Sequence, residues 1–451
     1  KSESGSLSRT SFQRRGLDQT FARDAWLPEL VSPVGPHWRW YTPRCEPYLP
    51  NFNFNLKFGR NKRIVISMIE RKIASVLRES ATRFPVVTLL GPRQSGKTTL
   101  VKALFRDYQY INLEDPQTRT LLAEDAKALL KDGREKLIID EAQRVPDVLS
   151  WVQVFADQRN EPGQFVLTGS NQPELGEAIS QSLAGRTSIH HLLPLSIEEL
   201  VSAGIAVNRD SLLVNGFLPR LYDAGTEPRE LYSGYLLTYV ERDVRRLINV
   251  KDLAKFETFL RLLAGRVGQL VNLSSLAGDV GVSSTSLSGW LSALEASFVI
   301  VRIHPYHRNL GKRLVKTPKL YFTEPGLLAS LLQIETPSQV SRDPLLGSVF
   351  ENMVVMEALK AAYNRGRPPQ LSFYRDKSGL EVDLIRERQR RPYAVEIKAG
   401  TTFAAEMTRS LKRFSELHGD TAGIALLYGG DEGFSVQETM VVPFVQRSEE
   451  H

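Results

Sequence analysis

The stretch Gly91-Pro-Arg-Gln-Ser-Gly96-Lys97-Thr98 places two glycines, a lysine and a hydroxyl at the spacing that wraps a nucleotide's phosphate chain. Glycines let successive backbone N–H groups turn inward around a β-phosphate, and the N-terminus of a following helix adds partial positive charge. In such a loop Lys97 reaches the β- and γ-phosphates and the Thr98 hydroxyl ligates Mg²⁺. Gly91, Pro92, Arg93, Gln94, Ser95, Gly96, Lys97, Thr98 and Thr99 are therefore the expected ATP-binding set.

Further along, Leu137-Ile-Ile-Asp140-Glu141 runs a buried-strand pattern into two carboxylates. Asp140 is expected to hold the Mg²⁺ through water, and Glu141 to polarise the water that attacks the γ-phosphate. A third run, Gln164-Phe-Val-Leu-Thr-Gly-Ser170-Asn171, ends in small polar groups. Ser170 or Asn171 would hydrogen-bond the lytic water or the γ-phosphate. A small-molecule kinase is disfavoured, because these carboxylates and the polar strand end suit water as the acceptor.

A second carboxylate set lies in the C-terminal third. Glu351 falls in a helical stretch that begins near Leu346, with Val354, Val355, Ala358 and Leu359 on its apolar side. Phe373-Tyr-Arg375 and Leu380-Glu-Val-Asp383-Leu-Ile385 read as a hairpin turned at Lys377-Ser-Gly379, and Tyr393-Ala-Val-Glu396-Ile-Lys398 as a third strand. Alternate residues of a strand share a face, so Glu396 projects with Lys398, and Glu381 with Asp383. Glu351, Asp383 and Glu396 would then bind Mg²⁺ through oxygens, while Lys398 orients or deprotonates an attacking water, as phosphodiester hydrolysis needs.

The elements that must position these groups follow from pattern. Strand-like runs at 86–90, 109–113, 137–140 and 164–169 alternate with helical ones from about residue 68 to 205, which predicts a parallel sheet covered on both faces. Residues 206–262 read as a helical lid, with Leu231, Tyr235, Leu236, Tyr239 and Val240 at helical spacing. From 263 to 322 the pattern is helix, turn, helix and basic hairpin, a winged helix whose wing is the hairpin. Asn272 or Ser274 caps Leu273–Ala277, Val280-Gly-Val282 makes the turn, and Ser284–Leu294 forms the second helix. Arg308, Lys312, Arg313 and Lys316 would let the hairpin contact phosphates. The second helix holds no Arg, Lys, Gln or Asn to read base edges, so the unit serves phosphate contact or protein contact rather than sequence readout. Residues 323–445 form the last α/β unit.

Composition bounds these readings. A chain of 451 residues suggests more than one domain. No run approaches the roughly 20 apolar residues of a membrane span, and no secretory signal is visible. The single Cys45 excludes an intramolecular disulfide and a multi-cysteine zinc site, and suits a cytoplasmic location. The net charge of +7 is concentrated at the start: residues 1–67 hold 11 Lys+Arg against 5 Asp+Glu, and the other 384 hold 47 against 46. A basic surface on the main body must therefore be local. Residues 1–67 also carry Trp26, Trp38 and Trp40 and show no sustained period. Met68 is the expected natural start, with 1–67 an upstream frame read in error or a disordered tail.

The segment from 68 to about 440 resembles a prokaryotic family in which an AAA-type P-loop ATPase precedes a C-terminal domain once known only as of unknown function. The resemblance rests on Gly91–Thr98, Tyr110-Ile-Asn-Leu-Glu-Asp115, Asp140-Glu-Ala-Gln143, Leu167-Thr-Gly-Ser170 and Ser182-Leu-Ala-Gly-Arg186. It continues through Gly216-Phe-Leu-Pro219, Thr238-Tyr-Val-Glu-Arg-Asp-Val244 and Pro318-Lys-Leu-Tyr-Phe322. It implies that Arg186 completes a neighbouring subunit's site, so a homo-oligomer is expected; pairing within its own domain is the alternative. Arg220, Arg242 and Arg245 are weaker nucleotide-sensing candidates. The ordered set of helical Glu351, Asp383, then Glu396-Ile-Lys398 resembles the restriction-endonuclease-like fold. Together these imply a cytoplasmic ATPase acting on DNA, with ATP and Mg²⁺, whose last domain binds DNA, with cleavage by it left open. The alternative is a nucleotide-dependent protein-assembly switch with that domain as a docking module.

Overall fold

The computed structural model describes residues 68–130, 135–170, 176, 178–179, 181–223, 225–240 (backbone only at 239 and 240), 252–306 and 317–444. The expectations for 1–67, Asn171, Arg242, Arg245 and the basic residues Arg308, Lys312, Arg313 and Lys316 lie outside them.

Five parallel strands form the first sheet: β1 Val86–Leu90, β2 Gln109–Asn112, β3 Leu137–Asp140, β4 Phe165–Gly169 and β5 Thr187–His191, in the order β2-β3-β4-β1-β5. The apolar runs of β1, β3 and β4 are buried along their whole length, as strands covered on both faces must be. Strand β5 has no apolar run to announce it. Its sequence is Thr-Ser-Ile-His-His, its one aliphatic residue, Ile189, is exposed, and it sits at the sheet edge beside β1. Because β4 lies between β1 and β3, the polar end of β4 comes between the phosphate loop and Asp140-Glu141.

Sequence sets the helix starts around this sheet. Gly96 enters the helix Lys97–Leu104 in a left-handed conformation (φ 92°). Asp115 caps Pro116–Leu129 by accepting from the N–H groups of Gln117 and Thr118, with proline at the first helical position. Ser196 and Glu199 close a reciprocal capping box on Ile197–Ser202.

Beyond them, Leu273–Val280 and Ser284–Ala296 meet at Gly281 (φ 72°), and Asn272 caps the first through the N–H groups of Ser274 and Ser275. Strands β6 Ile300–Pro305 and β7 Lys319–Phe322 follow as an antiparallel pair. This pair is not a free-standing wing. At its end, β6 pairs in parallel with β8 Leu371–Arg375 through His304–Ser372 and Pro305–Phe373.

The second sheet is therefore eight strands. It adds β9 Glu381–Arg388, β10 Arg391–Lys398, β11 Gly423–Tyr428, β12 Phe434–Val436 and β13 Thr439–Pro443, in the order β12-β13-β11-β10-β9-β8-β6-β7. The boundary expected at 322/323 falls inside it. Backbone pairing of two residues joins the units, and composition carries no trace of such a join.

The helix Leu346–Asn364 lies against this sheet and reaches back to the first. Glu357 Oε2 accepts from the Ile197 N–H at 2.8 Å, and Lys360 Nζ donates to the Leu195 carbonyl at 2.8 Å and to Glu357 Oε1 at 2.7 Å. Both side chains are buried. Burial pushes the Glu357 carboxyl up and the Lys360 charge opposes that rise. A paired, fully hydrogen-bonded set is the form in which buried charge is tolerated.

Candidate functional site

Loop 91–98 connects β1 to its helix, and its backbone conformation is held from outside. Gln94 (φ 61°) and Gly96 (φ 92°) are left-handed, the alternation that turns N–H groups to one side. A Cβ on Gly91 would stand 2.1 Å from the Leu192 carbonyl oxygen, so only glycine fits there. Lys97 is buried, its ammonium donating to the carbonyls of Gly91 (2.9 Å) and Pro92 (2.8 Å). Burial lowers its pKa to about 8, against the opposing pull of Glu141 and Asp140.

A residue before the first described helix anchors the loop. Arg71 donates to the Ser95 carbonyl through Nη1 (2.7 Å), to the Leu193 carbonyl through Nη2 (2.7 Å) and to Glu199 Oε1 through Nε (3.1 Å). Sequence reasoning passed over Arg71, because its partners lie on three separate segments.

The acidic pair sits opposite. Thr98 Oγ1 donates to Asp140 Oδ2 at 2.9 Å, Tyr110 OH donates to the same oxygen at 2.7 Å, and Thr168 Oγ1 donates to Oδ1. Burial and the Asp140 hydrogen bond raise the Tyr110 pKa, so it stays a donor. This donor set fits the Mg²⁺ of a nucleotide complex: a hydroxyl and a carboxylate oxygen already meet at the loop's end.

Glu141 stands in a left-handed conformation (φ 58°) just past β3. Its Oε2 accepts from Gln143 Nε2 at 2.6 Å and from Ser170 Oγ at 3.1 Å. The expected base and the expected sensor thus meet. Gln143 is the added member; it was visible in Asp140-Glu-Ala-Gln143 but had been given no role.

Arg186 is elsewhere. Its carbonyl accepts from the Val86 N–H at the start of β1, whereas the phosphate loop follows the other end of that strand. Five residues of strand separate the two edges, roughly 16 Å at about 3.3 Å per residue. Its guanidinium is paired to Asp157 on Val148–Arg159, with Nη2 to Oδ2 at 2.9 Å. Arg186 does not join the phosphate site of its own chain.

The second carboxylate set does converge. Asp383 on β9 and Glu396 on β10 are buried, and the shared faces expected for Glu381 with Asp383 and for Glu396 with Lys398 are present. The β9–β10 ladder ends at Leu384–Val395, and beyond it Asp383 Oδ2 accepts from the Ile397 N–H at 2.9 Å. Lys398 Nζ lies 2.6 Å from Glu396 Oε1 and 3.6 Å from Asp383 Oδ2. A cavity of about 440 Å³ opens here, lined by Asp383, Glu396, Lys398, Arg409, Ser410 and Arg413 among others.

Of the expected magnesium ligands Glu351, Asp383 and Glu396, Glu351 is joined to Asp383 through a cation. Among the described residues no group of three or more His, Cys, Asp or Glu side chains is arranged to hold a metal ion. The cation joining them is Lys319, a buried residue of β7 that falls within the expected basic hairpin. Its ammonium lies 3.0 Å from Glu351 Oε1, 2.6 Å from Glu381 Oε1 and 3.7 Å from Asp383 Oδ1. Tyr321 OH donates to the same Glu351 oxygen at 2.6 Å. Burial works against the Lys319 charge, but the three carboxylates outweigh it and hold the pKa above the usual lysine range. A lysine cation thus lies between Glu351 and Asp383.

Burial and then the Asp383 charge push Glu351 up to about 7 and Glu396 up to about 8. Glu396 Oε2 is buried and has no hydrogen-bond partner.

Comparison with known proteins finds three matched segments. Residues 83–201 match the AAA domain family, 208–338 a domain of unknown function and 346–446 a second domain of unknown function. An uncharacterized protein of Mycobacterium tuberculosis is 34% identical over 408 residues, covering 89% of each chain. One of Haemophilus influenzae is 27% identical over 313 residues, covering 62% of this chain and 75% of its own. Among solved structures, a Walker-type ATPase of Pyrococcus abyssi is similar at 14% identity with a TM-score of 0.40, covering 61% of this chain and 99% of its own. No helix among the described residues is long and apolar enough to cross a membrane.

Proposed function

The chain belongs to the same family as the Mycobacterium tuberculosis protein and carries an AAA-type P-loop ATPase domain at 83–201; from that premise we propose that it couples ATP hydrolysis to action on DNA held by its C-terminal sheet. The loop N–H groups and Lys97 bind the phosphates. Thr98 and Asp140 would hold Mg²⁺, which would supply positive charge to the β- and γ-phosphate oxygens. Glu141, steadied by Gln143 and Ser170, orients the attacking water and takes its proton. Arg186, once released from its Asp157 pair, would serve a neighbouring copy, and the working form is a cytoplasmic homo-oligomer.

One observation carries the DNA half of the reading: Asp383, Glu396 and Lys398 meet at a cavity that also presents arginines. With Lys319 engaging Glu351 and Glu381, holding DNA is favoured over cutting it. The same lysine favours a second reading, in which an internally neutralised cluster is a protein-docking module of a nucleotide-dependent switch.

ATP turnover with and without single-stranded, duplex and branched DNA separates the two. DNA-stimulated turnover supports action on DNA. Turnover indifferent to every DNA, with no DNA binding, overturns it in favour of the switch. In parallel, end-labelled DNA with Mg²⁺ or Mn²⁺ reads cleavage beside an Asp383→Ala control.

A further inference from the structure

The carboxylate cavity has two walls of opposite character. The sheet wall is mainly acidic, with Glu381, Asp383 and Glu396 on it. The other wall is the start of the helix Arg409–His418, which contributes Arg409, Ser410 and Arg413. We propose that this helix face binds the phosphate backbone of a nucleic-acid strand, with Arg409 and Arg413 as the phosphate contacts. The proposal rests on the DNA reading of the cavity given above and names the residues that would carry it.

Three observations bear on it. Arg409 and Arg413 are four residues apart, so both side chains lie on one helix face, and both line the same cavity. Their placement also runs against local preference. The helix dipole favours acids in the first turn and disfavours cations there, yet Arg409 opens the α-helix and its first turn holds no acid, Glu406 lying in the short turn Ala405–Thr408 before it. No side chain caps the helix N-terminus, and the Arg409 N–H donates to the Glu406 carbonyl of the preceding turn. Arg409 makes no ion pair or side-chain hydrogen bond among the described residues, and Arg413 pairs only with exposed Glu416 at 3.1 Å.

The independent observation comes from the opposite wall. Glu396 is 95% buried by its 5% exposure, and its Oε2 has no partner. Buried oxygens of this kind are almost always satisfied. A nucleic-acid strand suits both walls: its phosphate oxygens accept from the arginines, and its amino or hydroxyl groups donate to the acidic wall that Glu396 lines. An anion without donors would satisfy the helix and leave Glu396 as it is.

The test uses the full chain and a labelled DNA oligonucleotide, single-stranded and duplex, with affinity measured by anisotropy across a KCl series. Arg409→Gln and Arg413→Gln should each reduce the slope of log K against log salt by about 1, equally for unrelated sequences, and the double variant by about 2. Both residues are exposed, so thermal melting should match the parent. A double variant that melts normally and keeps the parental slope overturns the assignment while leaving the DNA reading standing. Absence of DNA binding by the parent protein overturns the DNA reading and the assignment with it. Inorganic phosphate or an acidic peptide that competes as well as the oligonucleotide would show a general anion site and overturn the nucleic-acid assignment.

Discussion

Arg71 donates to the Ser95 carbonyl at 2.7 Å, so a residue outside the phosphate loop fixes the backbone two positions before Lys97. The same guanidinium reaches Leu193 and the buried Glu199. Replacing it with methionine should free the loop and strand Glu199, at about 3 kcal/mol or more of stability. Arg71→Lys keeps a charge near Glu199 but cannot reach three partners at once. We expect folded Arg71→Lys to raise the KM for ATP several-fold with a smaller change in kcat. Unchanged KM in a folded variant would make Arg71 purely structural.

Glu141→Gln should bind ATP with near-parental affinity and hydrolyse it at least about 100-fold more slowly, the usual scale for a lost general base. The amide keeps a hydrogen-bonding contact with Ser170 but cannot take a proton. Fluorescent-nucleotide binding with single-turnover hydrolysis reads both. Loss of binding would argue against the base role.

Nucleotide affinity should fall above about pH 8. Burial holds the Lys97 pKa near that value; below it the ammonium is already charged, and above it binding must take up a proton. Calorimetry in two buffers of different ionisation enthalpy should show proton uptake at pH 9 and far less at pH 7, using about one proton as the upper bound for a single lysine.

Lys319→Met removes the cation shared by Glu351, Glu381 and Asp383. Leaving buried carboxylates unpaired costs about 3–5 kcal/mol. Millimolar Mn²⁺ should return part of that stability to the variant and none to the parent, read as a shift in melting temperature. A variant insensitive to Mn²⁺ would mean that the carboxylates cannot take a metal even when the lysine is gone.

Glu396 gives a pH signature of its own. Its folded pKa, about 8, is above the ordinary carboxylate value, so the folded state holds the proton more tightly than the unfolded chain. Its contribution to stability is therefore present at low pH and is lost as pH rises through about 8. Glu396→Gln cannot ionise. Its melting temperature relative to the parent should rise from pH 6 to pH 8 and level off beyond. A difference independent of pH would show that the carboxyl titrates normally.

The chain's own order of residues determined the phosphate loop, the acidic pair and the parallel strands that carry them. These are local patterns: a glycine-lysine loop, apolar runs of strand length, and caps such as Asp115 and Asn272 whose bonds span two or three residues. It also determined which faces Glu381, Asp383, Glu396 and Lys398 share, because a strand alternates with fixed period. Tertiary structure decided what no local pattern encodes. Strand β5 was hidden because an edge strand can be polar, and Arg71 because its partners come from distant segments. The join of β6 to β8 was hidden because backbone pairing leaves no mark on composition. Above all, the approach of Lys319 to Glu351 depends on how β7 lies against the helix Leu346–Asn364, and that approach puts a lysine among the carboxylates expected to hold a metal. Chemistry that needs groups at fixed spacing within one element is written along the chain; chemistry made by packing one element against another is settled only when the chain has folded.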